Sequence, residues 1–172
     1  MNALASVVMD LAEEADVPDL AALRSAVAVG LTSRYGIGHW SSPVSPAGVR
    51  HGLRHGHTLV ARRAGRILGT LRLSTRKPWA IDPAYFTVVK RPLYLVDMAV
   101  DPSLQGKGIG RALLGEAEVV ARRHPAAAIW LDAYDAPAGA GDFYRKCGYR
   151  EAGRGSYRGV PLIYFERLLN AL

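Results

Sequence analysis

The chain has 172 residues, of which 49% are hydrophobic, and it carries a formal net charge of +7. This length favours one globular domain, residues 1–172, that buries roughly 70% of the surface of the unfolded chain. The single cysteine, Cys147, excludes a disulfide framework within the chain, and no apolar run approaches the length of a membrane helix.

The first half of the chain predicts a strand, two helices and a hairpin. Residues 5–12 are a candidate strand, and residues 16–19 combine a proline with acids, as is typical of a helix start. The helix that follows places four aliphatic residues on one face: Leu20, Leu23, Val27 and Leu31. A second helix is predicted at about residues 46–55, and residues 58–62 and 67–73 predict a hairpin.

The second half of the chain begins with residues 74–92, a proline- and aromatic-rich segment of the kind that usually decorates a binding face. Leu93–Val100 is almost wholly apolar, as expected of a central strand, and an amphipathic helix then runs to Pro125. A short strand, a last helix and a closing hairpin follow at residues 128–132, 140–147, 149–156 and 162–168. The order β-α-α-β-β-β-α-β-α-β-β predicts an α/β domain with a mixed sheet.

A glycine-rich turn, Gln105–Arg111, lies between the apolar strand and the amphipathic helix. The first amides of a helix have no carbonyl partner within it, and the helix dipole adds positive potential, so such a turn favours phosphate. Gly106, Gly108 and Gly110 remove the side chains that would keep a pyrophosphate away from these amides. A lysine and an arginine in the turn add formal charge.

Three kinds of phosphate turn are compatible with part of this pattern. The dinucleotide fingerprint places a glycine where Arg111 stands; Asp132 is suitably spaced for its ribose-binding acid, but too few residues follow for the second half of such a sheet. The ATP-binding P-loop needs a Gly-Lys-Ser/Thr ending, which the turn lacks. The third pattern is Gln105-x-x-Gly108-x-Gly110.

This third pattern resembles the pyrophosphate loop, R/Q-x-x-G-x-G/A, of the GNAT superfamily of acyl-CoA-dependent N-acetyltransferases. Residues 12–23 are similar to the first helix of that family, and Phe143-Tyr144-Arg-Lys-Cys-Gly-Tyr149 is similar to its fY-x-k-x-G-F segment. Loop, tyrosine segment and element order together identify the chain as a member. The resemblance implies a mostly antiparallel sheet of six to seven strands, about four helices, and acetyl-CoA as the acyl donor without a metal.

The resemblance also implies which residues bind acetyl-CoA. The loop would hold the pyrophosphate, and backbone at a bulge in the preceding strand would admit the pantetheine arm and face the thioester carbonyl. The implied contacts are Met98, Ala99, Val100, Gln105, Gly106, Lys107, Gly108, Ile109, Gly110 and Arg111. The sequence departs from the family at two positions, because Gln105 replaces the commoner arginine and Pro137 stands where an asparagine is frequent.

Two residues are candidates for catalysis. Tyr144 matches the family's usual general acid, which would protonate the CoA thiolate; the alternative is an aromatic packed on the buried face of a helix. Asp97 is the one ionisable residue inside Leu93–Val100 and is a candidate general base, directly or through water. The alternatives are a hydrogen bond that stabilises a bulge, a side chain that points to solvent, or a reaction that needs no dedicated base.

Other side chains are weaker candidates. Cys147 would sit at a helix C-terminus, which disfavours the thiolate of a covalent route, so packing is expected. His51, His55 and His57 lack the companion ligands of zinc templates, so no metal site is predicted. Six residues could line the acceptor pocket or pack loops onto the sheet: Tyr35, His39, Trp40, Trp79, Tyr85 and Phe86.

These features predict an N-acetyltransferase that moves acetyl from acetyl-CoA to a primary amine by direct attack in a ternary complex. The alternative from another class is a non-catalytic acyl-CoA-binding or regulatory module of the same fold. The expected acceptor is a small-molecule amine.

Predictions about partners follow from charge and composition. The charge of +7 suits an anionic small ligand, and nucleic acid is disfavoured because the basic residues are scattered without a recognised binding motif. No membrane partner is predicted. An edge strand of the C-terminal hairpin could pair two subunits in a homodimer. Because acids interrupt the only apolar N-terminal stretch, we expect a cytoplasmic protein without a secretory signal.

Overall fold

The computed structural model describes residues 4–169, which form seven strands and four α-helices in the predicted order. The strands are β1 (Val8–Leu11), β2 (Gly56–Arg63), β3 (Arg66–Ser74), β4 (Pro92–Val100), β5 (Ala128–Tyr134), β6 (Arg150–Tyr157) and β7 (Val160–Leu168). The helices are α1 (Val17–Tyr35), α2 (Pro46–Leu53), α3 (Ile109–Arg123) and α4 (Gly141–Lys146). None of the helices among residues 4–169 has the length and apolar character needed to cross a membrane.

All seven strands belong to one sheet, in the order β1-β2-β3-β4-β5-β7-β6. Strands β4 and β5 pair in parallel, as the α3 crossover between them requires, whereas β1–β2, β5–β7 and β6–β7 are antiparallel. The predicted mixed, mostly antiparallel α/β fold is therefore confirmed. The differences are at element ends: β1 begins at Val8, and β5 continues to Tyr134.

The chain separates into two compact units, each with its own core. The first unit combines the residues up to Leu73 with Val96–Ala117, and the second combines Ser74–Leu95 with the residues from Glu118. The first core is aliphatic and includes Val17, Leu20, Val49, Val60, Ile67 and Ala99. The second core is largely aromatic and includes Ile81, Phe86, Tyr94, Trp130, Leu162 and Tyr164. The prediction of a single domain stays a prediction.

In the first unit, the start of α1 is held against β2. Pro18 stands in the first turn, and the Glu13 amide donates to Asp16 Oδ2 at 2.9 Å. Both carboxylate oxygens of Asp16 accept hydrogen bonds from Arg62 of β2, each at 3.0 Å. These hydrogen bonds lower the pKa of Asp16, because they favour its charged form.

In the second unit, the segment between β3 and β4 is part of the core rather than a simple decoration of a binding face. Phe86 is 5% exposed and stacks on Trp130 with ring centroids 4.5 Å apart. The buried Glu166 accepts hydrogen bonds from the amide and hydroxyl of Thr87, at 2.9 and 2.7 Å. Gly153 of β6 makes room for the Tyr85 ring, since a Cβ there would lie 2.4 Å from Tyr85 Cδ1.

Candidate active site

The turn after β4 is held in place by its own side chains. The Asp101 amide donates to Leu68 O of β3 at 2.9 Å, and Asp101 Oδ1 accepts from the amide and hydroxyl of Ser103. Gln105 Nε2 donates to Val100 O, the last carbonyl of β4, at 3.2 Å. These hydrogen bonds attach the segment between β4 and α3 to β3 and to the end of β4.

The glycines of the turn give it a shape that suits an anion. Gly106 and Gly108 have φ values of +75° and +90°, a region that other residues rarely adopt. The first α-helical bond of α3 joins the Ala112 amide to Gly108 O, so the amides at the start of the turn cannot be satisfied within the helix. A Cβ at Gly106 would meet nothing within 4 Å, and one at Gly108 would lie 3.4 Å from Leu4 Cδ1. Open space and amide donors are what a pyrophosphate needs.

Helix α3 packs closely on β3 behind this turn. A Cβ at Gly69 would lie 3.0 Å from Leu113 Cδ1 and 3.1 Å from Ile109 Cγ2, so the glycine permits the close approach. Ile109 and Gly110 are buried, while the side chains of Lys107 and Arg111 are exposed and add positive charge.

Strand β4 carries a backbone irregularity at Asp97, whose φ is +57°. This is the left-handed region, which costs a non-glycine residue about 1–2 kcal/mol. Two arginines hold the residue there: Arg24 Nη2 of α1 donates to Oδ1 at 2.8 Å, and Arg72 Nε of β3 donates to Oδ2 at 3.0 Å. The next three residues of β4 are the predicted contacts for the pantetheine arm. Ala99 is buried, whereas Met98 and Val100 are half-buried.

These three charged side chains lie at one pocket of the first unit. The pocket is open to solvent and is also lined by Leu20 and Val49. Both carboxylate oxygens of Asp97 already accept hydrogen bonds from guanidinium groups, so the arrangement favours an alternative in which Asp97 stabilises the local backbone of β4. Its role as general base stays a prediction.

Tyr144 lies in the second unit, on α4. It is 6% exposed and packs against Phe143, Tyr149 and Phe165, with ring centroids 5.3 to 5.8 Å away. Burial, and after it the nearby charge of Asp132, raises the pKa of Tyr144, so the phenol keeps its proton at neutral pH. A buried aromatic and a general acid are both compatible with this position.

Asp132 is the carboxylate that sequence reasoning considered only for the dinucleotide alternative. It lies on β5, directly opposite Tyr164 of β7, and is half-buried. Burial raises the pKa of Asp132 by more than a hydrogen bond from its own backbone lowers it. The signal for it was present in the sequence, since Asp132, like Asp97, interrupts an apolar strand.

The structure divides the six predicted acceptor residues between the units. In the first unit, Tyr35 is the last residue of α1, and His39 and Trp40 follow the helix. Trp40 Nε1 donates to Gly36 O at 3.1 Å. Trp79, Tyr85 and Phe86 belong to the second unit; Trp79 is 85% exposed, whereas Phe86 is a core residue. For Phe86 and Tyr85, which packs on Tyr164 at 5.0 Å, the geometry favours loop packing.

Two other groups have simple structural positions. Among residues 4–169, no group of three or more His, Cys, Asp and Glu side chains is placed to hold a metal ion. Cys147 is the half-buried C-cap residue of α4, and Gly148 follows with φ +87°, as the sequence pattern predicts for a helix end.

The glycine turn, the tyrosine segment and the element order are the features from which the family was inferred. The sequence profile of the acetyltransferase (GNAT) family matches residues 29–149. The chain belongs to the GNAT family. No protein with a curated function matches the sequence at a significant level.

Solved structures share the GNAT fold of this chain. The ribosomal-protein-alanine N-acetyltransferase from Brucella melitensis matches with a TM-score of 0.71 and 22% identity, over 94% of this chain and 99% of that one. PaiA N-acetyltransferase from Thermoplasma acidophilum, in complex with coenzyme A, matches with a TM-score of 0.73 and 15% identity, over 95% of this chain and 99% of that one. YncA from Salmonella typhimurium, with its cofactor acetyl-CoA, matches with a TM-score of 0.69 and 18% identity, over 96% of this chain and 95% of that one.

Proposed function

We propose that residues 1–172 act as one N-acetyltransferase domain, which transfers acetyl from acetyl-CoA to a primary amine. The observation that carries the proposal is the anchored turn Gln105–Arg111, with two left-handed glycines at the start of a 15-residue helix. Helix N-termini of this kind bind phosphate groups. Family membership and the two fold neighbours that hold coenzyme A or acetyl-CoA support the same cofactor.

The residues of the chain divide the work of acyl transfer. Acetyl-CoA supplies a thioester whose carbonyl carbon the amine attacks. The turn would bind the pyrophosphate, while Met98, Ala99 and Val100 would offer backbone to the pantetheine arm and the carbonyl oxygen. Tyr144 would protonate the departing thiolate, which suits a phenol that keeps its proton at neutral pH. Amine and thioester would react directly in a ternary complex.

The acceptor is a primary amine, and a small molecule is the proposed class. The fold neighbours are named for different acceptors: ribosomal-protein alanine, phosphinothricin and aminoglycosides. The fold therefore does not indicate which amine this chain acetylates. A cytoplasmic location and a homodimer remain predictions from the sequence.

A screen of primary amines tests the proposal. The protein is incubated with acetyl-CoA and each amine of a panel of amino acids, polyamines, aminoglycosides and arylalkylamines, and free CoA thiol is measured. Calorimetric titration with CoA is run in parallel. Thiol release with at least one amine supports the enzyme, whereas CoA binding without turnover of any amine favours the non-catalytic acyl-CoA-binding module.

A further inference from the structure

Asp132 occupies an unusual position for a carboxylate. Side chains alternate along β5, so Leu131 and Ala133, both buried, point to the face opposite to that of Asp132. On its own face it has Trp130 and Tyr134 as strand neighbours and Tyr164 directly opposite on β7. The surroundings of this carboxylate are therefore mainly aromatic.

The aromatic side chains around Asp132 pack against one another. Trp130 and Tyr164 are both buried, Phe86 packs against both of them, and the Tyr164 hydroxyl donates to Ala80 O at 2.7 Å instead of to Asp132. No ion pair among residues 4–169 includes Asp132. Carboxylates in such surroundings are normally paired with a cation, because the charge is costly to desolvate.

Electrostatic effects show which groups surround Asp132. Its charge helps to raise the pKa of Tyr134 on its own strand, Tyr164 on β7 and Tyr144 on α4, for each of which burial is the larger cause. Asp82, from the segment before β4, acts on Tyr164 in the same sense. All of these groups belong to the second unit, and none of them is a basic side chain. An ammonium ion is the complement that this environment lacks.

The geometry points to Asp132 as the general base of the proposed acetyl transfer and as the group that receives the ammonium of the acceptor amine. This inference rests on the proposed function and adds to it the residue that recognises the amine. Asp132 and the proposed acid, Tyr144, then belong to one unit and influence each other electrostatically.

The proton balance of the step is simple. The carboxylate of Asp132 takes one proton from R–NH₃⁺, directly or through one water, and leaves a neutral amine. The nitrogen then bonds to the thioester carbonyl carbon as the carbon–sulfur bond breaks. Tyr144 gives its proton to the thiolate and regains one from the second N–H of the acylated nitrogen. Asp132 releases its proton to solvent, so the reaction yields the amide, free thiol and one proton.

The first test uses the isosteric variant Asp132→Asn with the amine that the wild-type enzyme acetylates fastest. We expect kcat/KM for the amine to fall about 100- to 10,000-fold, the usual contribution of general acid–base catalysis, with the Kd for CoA within about twofold. The residual rate should rise with pH toward the pKa of the amine itself, which a merely structural loss would not cause. The matched control, Asp142→Asn, removes an exposed carboxylate of the same unit and should behave like the wild type.

The second test needs no turnover. In ¹³C NMR titration of the folded protein, the carboxyl carbon missing from Asp132→Asn should titrate above the ordinary aspartate range. Addition of 2-phenylethylammonium should move that titration to lower pH, because a bound cation favours the carboxylate. Titration in the ordinary range, or no response to the amine, overturns the inference.

The outcomes separate the two proposals. If the wild type releases thiol and the Asp132→Asn variant is unimpaired, the assignment of Asp132 as general base is wrong, while the proposed acetyltransferase function stands. Absence of thiol release with every amine overturns the proposed function and the base with it. A thermal melt of Asp132→Asn that is cooperative and not below that of the wild type shows that the variant is folded.

Discussion

In each of the two compact units an aspartate interrupts a largely apolar strand, and the surroundings of these two aspartates, Asp97 and Asp132, are opposite in character. In the first unit, Asp97 is held by Arg24 and Arg72, one guanidinium on each oxygen. In the second unit, Asp132 takes part in no ion pair within the described part of the chain, and its neighbours on the sheet are aromatic. The same residue type therefore serves different purposes: a paired carboxylate fixes backbone geometry, whereas an unpaired one is available to a ligand or a proton.

The largest effect should come from removing the paired carboxylate. Asp97→Ala leaves two partly buried guanidinium groups without their partner and places alanine in the left-handed region, so the free energy of unfolding should fall by about 3 kcal/mol. Asp97→Asn keeps a residue that tolerates this conformation and should lose about 2 kcal/mol. Urea denaturation followed by circular dichroism measures both values. An Asp97→Asn variant as stable as the wild type would show that the ion pairs do not stabilise the left-handed conformation of residue 97.

The second effect concerns Tyr144, the acid that shares a unit with Asp132. Tyr144→Phe keeps the ring and its packing but removes the proton donor, so kcat should fall at least about tenfold with the CoA affinity nearly unchanged. Steady-state kinetics and calorimetry measure the two quantities. Unchanged turnover would remove Tyr144 from the mechanism and reduce it to a core aromatic.

A comparable effect on binding alone is expected at the glycine turn. Alanine at position 106 or 108 would have to adopt the left-handed backbone conformation, which costs about 1–2 kcal/mol. We therefore expect Gly106→Ala and Gly108→Ala each to weaken CoA binding roughly tenfold. Gly115→Ala is the matched control, because it lies later in α3 and a Cβ there meets nothing within 4 Å. Equal Kd values for all three variants in calorimetry would contradict the pyrophosphate assignment.

The smallest expected effect is a pH-dependent difference in melting temperature between Asp132→Asn and the wild type. Burial raises the pKa of Asp132 above its value in the unfolded chain, so its ionisation disfavours folding. The penalty is absent below the unfolded pKa and is complete once the pH exceeds the folded pKa. Asp132→Asn should therefore melt at the same temperature as the wild type near pH 3 and slightly above it at pH 7. A variant that melts lower at pH 7 would indicate that the carboxylate has a stabilising partner.

The sequence predicted the fold well because local signals were strong throughout. Hydrophobic periodicity and the glycine and proline positions were sufficient for the order of all eleven strands and helices, and the fold neighbours confirm the class. The turn Gln105–Arg111 was recognisable because its chemistry is encoded in a few consecutive residues.

The sequence could not predict contacts made over long distances along the chain. Arg24 lies 73 residues before Asp97, and no local pattern announces that the two will pair. Phe86 was a pocket candidate on composition alone, but its stacking on Trp130 makes it a core residue. Asp132 carried the same signal as Asp97, an acid in an apolar strand, and only the arrangement of cations distinguishes them.

The side chain of Leu4 borders the glycine turn, which has a consequence for cofactor binding. Leu4 Cδ1 would lie 3.4 Å from a Cβ on Gly108, so this side chain lies beside the proposed pyrophosphate site. A larger side chain at position 4 would crowd that site and lower the affinity for CoA without any change in the turn itself.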